Sequence, residues 1–161
     1  MEALYGPYLG QPEMQRLVDR VDELGWKLIP YEARGSPTAT NDREEQQARN
    51  LYEAFAAPPP DSPLLVWCGW GHLYKEGLSD SDFRPMAFHF WELSGIEPFS
   101  IDQTVTVVPS PSMTGPWHEL ARRQAWRLEA LGGTAGFLAA DSPIPCPWVD
   151  AVLLSTQNAL E

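Results

Sequence analysis

Patterns typical of helices alternate with short apolar runs along most of this chain of 161 residues. Helical periodicity covers residues 12–24, 41–55, 85–94 and 117–131, and the apolar runs are residues 26–32, 64–68, 99–108, 135–139 and 149–154. Strands that are separated by helices pair in parallel through right-handed crossovers. The order therefore predicts an α/β fold with a mainly parallel sheet of four to five strands flanked by helices.

The number of predicted strands leaves two architectures open. Four or five strands can form a small open sheet, or they can form half of a TIM-barrel-like fold that needs a second half to close. The length fits a single α/β domain spanning residues 1–161. We expect either a complete domain or the C-terminal part of a longer protein. A half-barrel would expose unpaired strand edges, so it is expected to form a homo-oligomer.

Composition narrows the class of partner. The net charge is −11, and eleven lysines and arginines in all are too few for the basic patches that hold nucleic acid or anionic membrane surfaces. No apolar run approaches the roughly 20 residues that a bilayer span needs, and the N-terminus lacks the pattern of a signal peptide. Cys68 and Cys146 lie far apart, which argues against a disulfide framework. The sequence predicts a cytoplasmic protein that binds a small-molecule substrate or ligand, with no nucleic-acid or membrane partner.

The apolar run Leu64 to Cys68 leads directly into a glycine-rich corner that carries a histidine. Gly69 and Gly71 permit unusual backbone angles or close approach to a ligand, and His72 can act as a base, an acid or a metal ligand near neutral pH. Lys75 follows three residues later. In parallel α/β proteins, the loops after strands carry the chemistry, so this corner is the first candidate site.

Polar residues of the second predicted helix should face the same edge of the sheet. Glu32 ends the preceding strand, and Arg43, Glu44, Gln47 and Asn50 follow on the helix, three of them at spacings that return to one side. Each has an ordinary structural explanation as well. Glu44 completes a capping box with Asn41, the stripe from Arg43 to Asn50 suits a solvated face, and His72 suits a hydrogen-bonded loop.

Further positions are candidates as well. Asp102 and Gln103 place polar groups in a predicted strand, where they would need partners if buried. Asp150 lies within an apolar segment and either orients a site residue or caps a strand end. Aromatic side chains, among them Trp70, accompany the corner and suit the wall of a ligand pocket.

Part of the chain, from residue 12 to about residue 105, resembles the C-terminal half of the erythromycin-esterase and ChaN-like superfamily, which is related to the TraB and TIKI proteins. The resemblance lies in a helix motif, a strand with its corner, and two shorter pieces. These read Arg43-Glu44-x-x-Gln47-Ala48-x-Asn50-Leu51, Leu64 to His72, Met86-Ala87 and Ser94 to Pro98.

The resemblance implies that Arg43, Glu44, Asn50 and His72 line a polar cleft, with Glu32 as an acidic residue at a strand end. Members of the superfamily include hydrolases, metal-dependent peptidases and a haem-binding protein, so a divalent metal or haem is implied only in this way. Two departures stand out. Gly69 occupies a position where the esterases often have a second histidine, and the family's N-terminal half has no match.

Two hypotheses follow from the sequence. In the first, the chain is a hydrolase, or part of one, with catalytic residues His72, Glu44, Arg43 and Glu32. Arg43 would then hold an anionic group or a developing oxyanion. In the second, it is a non-catalytic α/β module that binds a small ligand or another subunit. Binding roles are predicted for Asn50, Gln47, Lys75, Trp70, Asp102 and Gln103, and no metal ligands are assigned.

Overall fold

The computed structural model describes residues 12–33, 39–56, 63–76, 82–106, 115–142, 144, 146 and 149–155. The chain divides into two compact units, residues 1–30 and residues 31–161. In the first unit, helix α1 (Pro12–Glu23) matches the predicted helix. Proline suits the first turn because its missing N–H has no intrahelical partner there, and Gly25, with φ of 69°, follows the end of the helix.

Two helices of the second unit form its first apolar core. Helix α2 (Thr40–Ala56) contacts helix α3 (Met86–Ser94), and both were predicted from their periodicity. Ala48 and Leu51 of α2 are buried against Met86 and Phe90 of α3. The partly buried side chains of Tyr31, Leu64, Val66 and Cys68 pack on this core, together with Phe55 and Leu93. The core therefore holds the regions that the sequence analysis singled out.

A small mixed sheet forms the second core. Strands β1 (Ile101–Thr106), β2 (Thr134–Leu138) and β3 (Ala151–Ser155) are arranged in the order β1-β3-β2, parallel between β1 and β3 and antiparallel between β2 and β3. Helices α4 (Pro116–Arg123) and α5 (Ala125–Ala130) precede β2. Val152 and Leu154 of the central strand are buried with Ala121 of α4 and Leu128 of α5.

The prediction of a sheet of four to five mainly parallel strands is wrong, and so is the half-barrel that depends on it. The sheet of the described residues has three strands, one of them antiparallel. The predicted strands at residues 26–32 and 64–68 do not pair in it. Along residues 63–69, exposed and partly buried positions still alternate, but the inward face packs on α2 and α3. Alternation of exposed and buried positions shows that one face of a segment is buried. It does not show that a sheet buries that face.

The fourth predicted helix, residues 117–131, is divided into α4 and α5. The division falls at Gln124, whose φ of −104° and ψ of 8° depart from helical values. Gly132 and Gly133 end α5 with φ of 84° and 91°, as their position predicted. Within the described residues, none of the helices is long and apolar enough to cross a membrane.

The end of α3 allows a direct test of backbone geometry. Gly95 has φ of 69°, and its N–H donates to the Trp91 carbonyl at 2.9 Å. An added Cβ would meet nothing within 4 Å, so Gly95→Ala should lose about 1 kcal/mol of unfolding free energy through left-handed strain alone. Gly71→Ala, with equal space and no positive φ, should stay within about 0.5 kcal/mol of wild type in urea unfolding. Equal losses in the two variants would contradict this explanation.

Candidate functional site

The centre of the candidate site is a contact between Glu44 of α2 and His72 of the glycine-rich corner. His72 Nδ1 lies 2.6 Å from Glu44 Oε2, and the same oxygen accepts the Met86 backbone N–H at 2.9 Å. Glu44 is 1% exposed, whereas the side chain of His72 is 20% exposed. A buried carboxylate therefore holds an imidazole that solvent can still reach.

The capping box predicted for Glu44 is wrong. Helix α2 already begins at Thr40, and the side chain of Asn41 contacts another segment. Its amide donates to the Asp82 carbonyl at 2.7 Å, and its oxygen accepts the Arg84 N–H at 2.9 Å. Asn41 thus ties α2 to the segment before α3, and Glu44 contacts His72 and the first residue of α3.

The contact with Glu44 determines which ring nitrogen of His72 is available. A carboxylate accepts a hydrogen bond, so the neutral imidazole carries its proton on Nδ1 and its lone pair on Nε2. A Cβ added at Gly69 would lie 3.5 Å from His72 Cδ2 and 3.9 Å from Nε2. The absence of a side chain at Gly69 therefore leaves space beside Nε2.

The turn itself is short and hydrogen-bonded. Residues Trp70–His72 form one turn of 3-10 helix, and the His72 N–H donates to the Gly69 carbonyl at 3.0 Å. The side chain of Trp70 lies outside the described residues, so its predicted binding role stays a prediction. The turn presents the imidazole toward α2.

A second group of polar side chains surrounds Glu32. Two of its members, Arg43 and Gln47, lie on α2 beside Glu44. Arg43 donates to Glu32 through both Nε, at 3.0 Å, and Nη2, at 2.7 Å. Gln47 Nε2 and the Ala33 N–H donate to Glu32 Oε1 at 2.8 and 3.0 Å. These hydrogen bonds, that of Arg43 above all, lower the pKa of Glu32 to about 2, and Glu32 in turn raises the pKa of Arg43.

Asn50 extends this group along α2. Its amide donates to the Tyr31 carbonyl at 2.9 Å and to the Glu32 carbonyl at 3.3 Å. Gln47 is 1% exposed, and its Oε1 has no hydrogen-bond partner among the described residues. The structure therefore brings Glu32, Arg43, Gln47 and Asn50 together, and the polar stripe on α2 is partly buried rather than wholly solvated.

Tyr31 and Cys68 lie near the two polar groups. Tyr31 donates its hydroxyl to the Trp67 carbonyl at 2.7 Å, and burial raises its pKa. Burial, with a smaller contribution from the charge of Glu44, raises the pKa of Cys68 to about 11. The thiol of Cys68 therefore stays protonated near neutral pH and is a poor nucleophile.

The other predicted residues lie elsewhere. Lys75 pairs with Asp150 and Glu97 in a separate cluster. Asp102 is partly buried in β1, and Gln103 is exposed there. The residue that sequence reasoning missed is Met86, because its contribution is a backbone N–H at the start of α3. The signal for this role is the Pro85-Met86 helix start, since the first N–H groups of a helix lack intrahelical partners.

A bound metal ion needs several donor side chains close together. Among the described residues, no three His, Cys, Asp or Glu side chains are grouped as metal ligands. Catalytic zinc usually has three protein ligands, and the Glu44–His72 pair with Glu32 committed to Arg43 does not supply them. The described part of the chain does not fit a bound divalent metal, and haem binding stays a prediction of the resemblance.

No family model, curated protein or solved structure matches this chain. The likeness to the erythromycin-esterase and ChaN-like superfamily therefore stays a prediction from the sequence motifs.

The Glu32 group predicts a pH-dependent stability. The folded chain lowers the pKa of Glu32 from 4.5 to about 2. The ionised Glu32 therefore stabilises the fold fully above a pH of about 4.5, and this contribution is lost as the pH falls through about 2. The side chain is 60% exposed, so solvent screens the pair, and Glu32→Gln should cost about 0.5–1 kcal/mol at pH 7. Urea unfolding at pH 7 and at pH 2.5 should show that cost shrinking. A constant difference would contradict the pairing.

Proposed function

We propose that this chain is a hydrolase in which His72 is the general base and Glu44 orients it. Water would give a proton to His72 Nε2 as its oxygen adds to a carbonyl carbon of the substrate. The protonated imidazole would then return that proton to the leaving group as the intermediate collapses. Glu44 would hold the ring in one tautomer and stabilise the imidazolium that forms between the two steps.

One observation carries this proposal: the 2.6 Å contact between His72 Nδ1 and a carboxylate that is almost wholly buried. The geometry frees Nε2, the atom that such a base must use, and Gly69 leaves space beside it. The motif resemblance supports the same reaction class. A small-molecule substrate and a cytoplasmic location, both predicted from composition, belong to the same proposal.

The arrangement of Arg43 changes the role proposed for it. Two of its donor nitrogens are committed to Glu32, so its charge is balanced before a substrate arrives. Arg43 is therefore proposed to position Glu32 and to contact a neutral polar group, rather than to hold a free anion. The chain carries a net charge of −11, which also favours neutral or cationic substrates. Carboxylic esters and amides fit these conditions better than phosphoesters.

The test is a substrate screen with the whole chain. Chromogenic esters, short peptides and phosphoesters are offered to the wild type, to His72→Gln and to His118→Gln, whose histidine lies in α4. We expect ester or amide turnover in the wild type and in His118→Gln, and none above background in His72→Gln. Turnover that is equal in all three proteins would refute the assignment of the base. A wild type inactive on every class would refute the hydrolase.

A second candidate function, subunit association, is favoured by one observation. On the outward face of residues 63–69, Leu65 and Trp67 are 73% and 59% exposed. Neighbouring exposed apolar side chains often mark a contact surface. If this function is correct, light scattering across micromolar concentrations should show a dimer that Leu65→Ser weakens. A wild-type monomer throughout that range would refute it.

A further inference from the structure

The loop that follows His72 is anchored to the small sheet through buried polar contacts. The Leu73 carbonyl, directly after His72, accepts the Ser100 hydroxyl at 2.8 Å. Two residues further, Lys75 Nζ donates to Asp150 Oδ1 at 2.8 Å and to Glu97 Oε1 at 2.5 Å. Ser100 is buried and the side chain of Lys75 is mostly so. The loop is thus held at two points just beyond the imidazole.

Asp150 joins these two points. Its Oδ1 accepts Lys75, while its Oδ2 accepts the Ser100 N–H at 2.6 Å. The Asp150 N–H donates to the Ser100 carbonyl at 2.9 Å, so the two residues exchange backbone and side-chain hydrogen bonds. Ser100 directly precedes β1 and Asp150 directly precedes β3, which are parallel neighbours. One carboxylate therefore links the starts of both strands to the His72 loop.

His72 lies between the two cores, because Val66 and Cys68, just before its turn, pack on the core of α2 and α3. Glu44 lies on α2, whose apolar face packs with α3. Leu73 and Tyr74, directly after His72, pack on the core around the sheet. A 2.6 Å contact at this junction requires that the loop after His72 be fixed relative to α2, because hydrogen bonds weaken steeply with small displacements. Polar anchors beside His72 supply that constraint on the side of the sheet.

We propose that Asp150 is a positioning residue for His72, acting through Lys75 and Ser100 to hold the imidazole against Glu44. This inference rests on the proposed function and names the group outside the site that fixes its geometry. Asp150 itself touches neither His72 nor Glu44 in any contact that the structure gives, so it is not a catalytic residue. The sequence left two roles open for Asp150, orienting a site residue or capping a strand end. In this proposal its side chain has both roles.

A purely structural role for the Asp150 cluster predicts something different. The ion pair with Lys75 would then contribute to folding, and its loss would lower stability without changing the state of the imidazole. Neutralising Asp150 is destabilising in either case, because the mostly buried Lys75 then keeps only the exposed Glu97 as a counter-charge. Stability alone therefore cannot separate the two roles. The tautomer of His72 can, because it depends on whether Nδ1 still meets Glu44.

The experiment records nitrogen-15 chemical shifts of the His72 ring in the whole chain. Asp150→Asn removes the charge with little change of shape, and Ser100→Ala removes only the bond to Leu73. Glu45→Gln, which breaks the exposed Glu45–Arg49 pair of α2, is the matched control. We expect one Nδ1-protonated tautomer in the wild type and the control. In both test variants, the shifts of Nδ1 and Nε2 should move toward each other, and kcat should fall about 10- to 100-fold at unchanged KM.

The outcomes separate this inference from the proposed function. If the wild type has the fixed tautomer and both test variants retain it, Asp150 is structural and the inference is overturned while the proposed base stands. If the wild-type ring shows no preference for Nδ1, the Glu44–His72 pair fails, and both proposals fall together. Should Asp150→Asn not fold, Ser100→Ala decides alone, because it leaves the ion pair with Lys75 intact.

Discussion

His72→Gln should lower hydrolytic turnover by about 100- to 10,000-fold, the usual contribution of a general base, with little loss of stability. Glutamine is the appropriate replacement because its amide can still donate a hydrogen bond to Glu44. Alanine would leave the buried carboxylate without its imidazole partner, and the protein would lose stability together with activity. The measurements are kcat on the best substrate of the screen and the free energy of unfolding in urea.

Glu44→Gln extends this test to the partner of the base. The amide can still accept the Met86 N–H, but it can also donate to His72 and so favour the tautomer with the proton on Nε2. A wrong tautomer costs up to about 10,000-fold in kcat when a buried carboxylate orients a catalytic histidine. Glu45→Gln, at a partly exposed neighbour on the same helix, should leave kcat unchanged.

The double variant shows whether the two residues act as one unit. If they do, His72→Gln with Glu44→Gln should be about as slow as the slower single variant, because the second change removes nothing further. Multiplied effects would mean that Glu44 contributes independently of the imidazole. A Glu44→Gln protein as active as the wild type would contradict an orienting role.

The components of the site could be predicted from sequence, but the structure that brings them together could not. Helical periodicity placed Arg43, Gln47 and Asn50 on one side of α2, and the structure joins them to the side chain or the backbone of Glu32. The expected cause was the edge of a parallel sheet. In the structure, the packing of α2 against α3 brings Glu44 to Met86, while the 3-10 turn brings His72 to Glu44.

Local pattern does not explain which of the predicted strands form. Residues 101–106, 134–138 and 151–155 pair as strands, whereas residues 64–68 have the same apolar character and do not. The difference depends on what lies beside each segment. The Tyr31 hydroxyl donates a hydrogen bond to the Trp67 carbonyl, and helices α2 and α3 bury the inward face of residues 64–68. Such partners are distant in sequence, so no local window contains them.

Leu154→Ala should lower the free energy of unfolding by about 3–4 kcal/mol, the largest stability effect expected for a single change. Leu154 is 0% exposed in the central strand β3, where β1 and β2 flank it. Its truncation removes apolar contacts and leaves a cavity that neighbouring strands cannot fill by moving. Urea unfolding followed by tryptophan fluorescence measures the loss, with an unchanged slope as the check on two-state behaviour.

Leu65→Ala is the matched control, because it makes the same chemical change in a segment that the sequence also predicted as a strand. The parallel sheet expected from sequence would bury this segment on both faces, and the two variants would then lose similar stability. In the structure, the side chain of Leu65 is 73% exposed, so its truncation should change stability by no more than about 0.5 kcal/mol. A loss at Leu65 that matches the loss at Leu154 would mean that residues 64–68 are covered on both faces. Either a further strand or the second copy of the chain proposed above would then cover Leu65, and light scattering distinguishes the two.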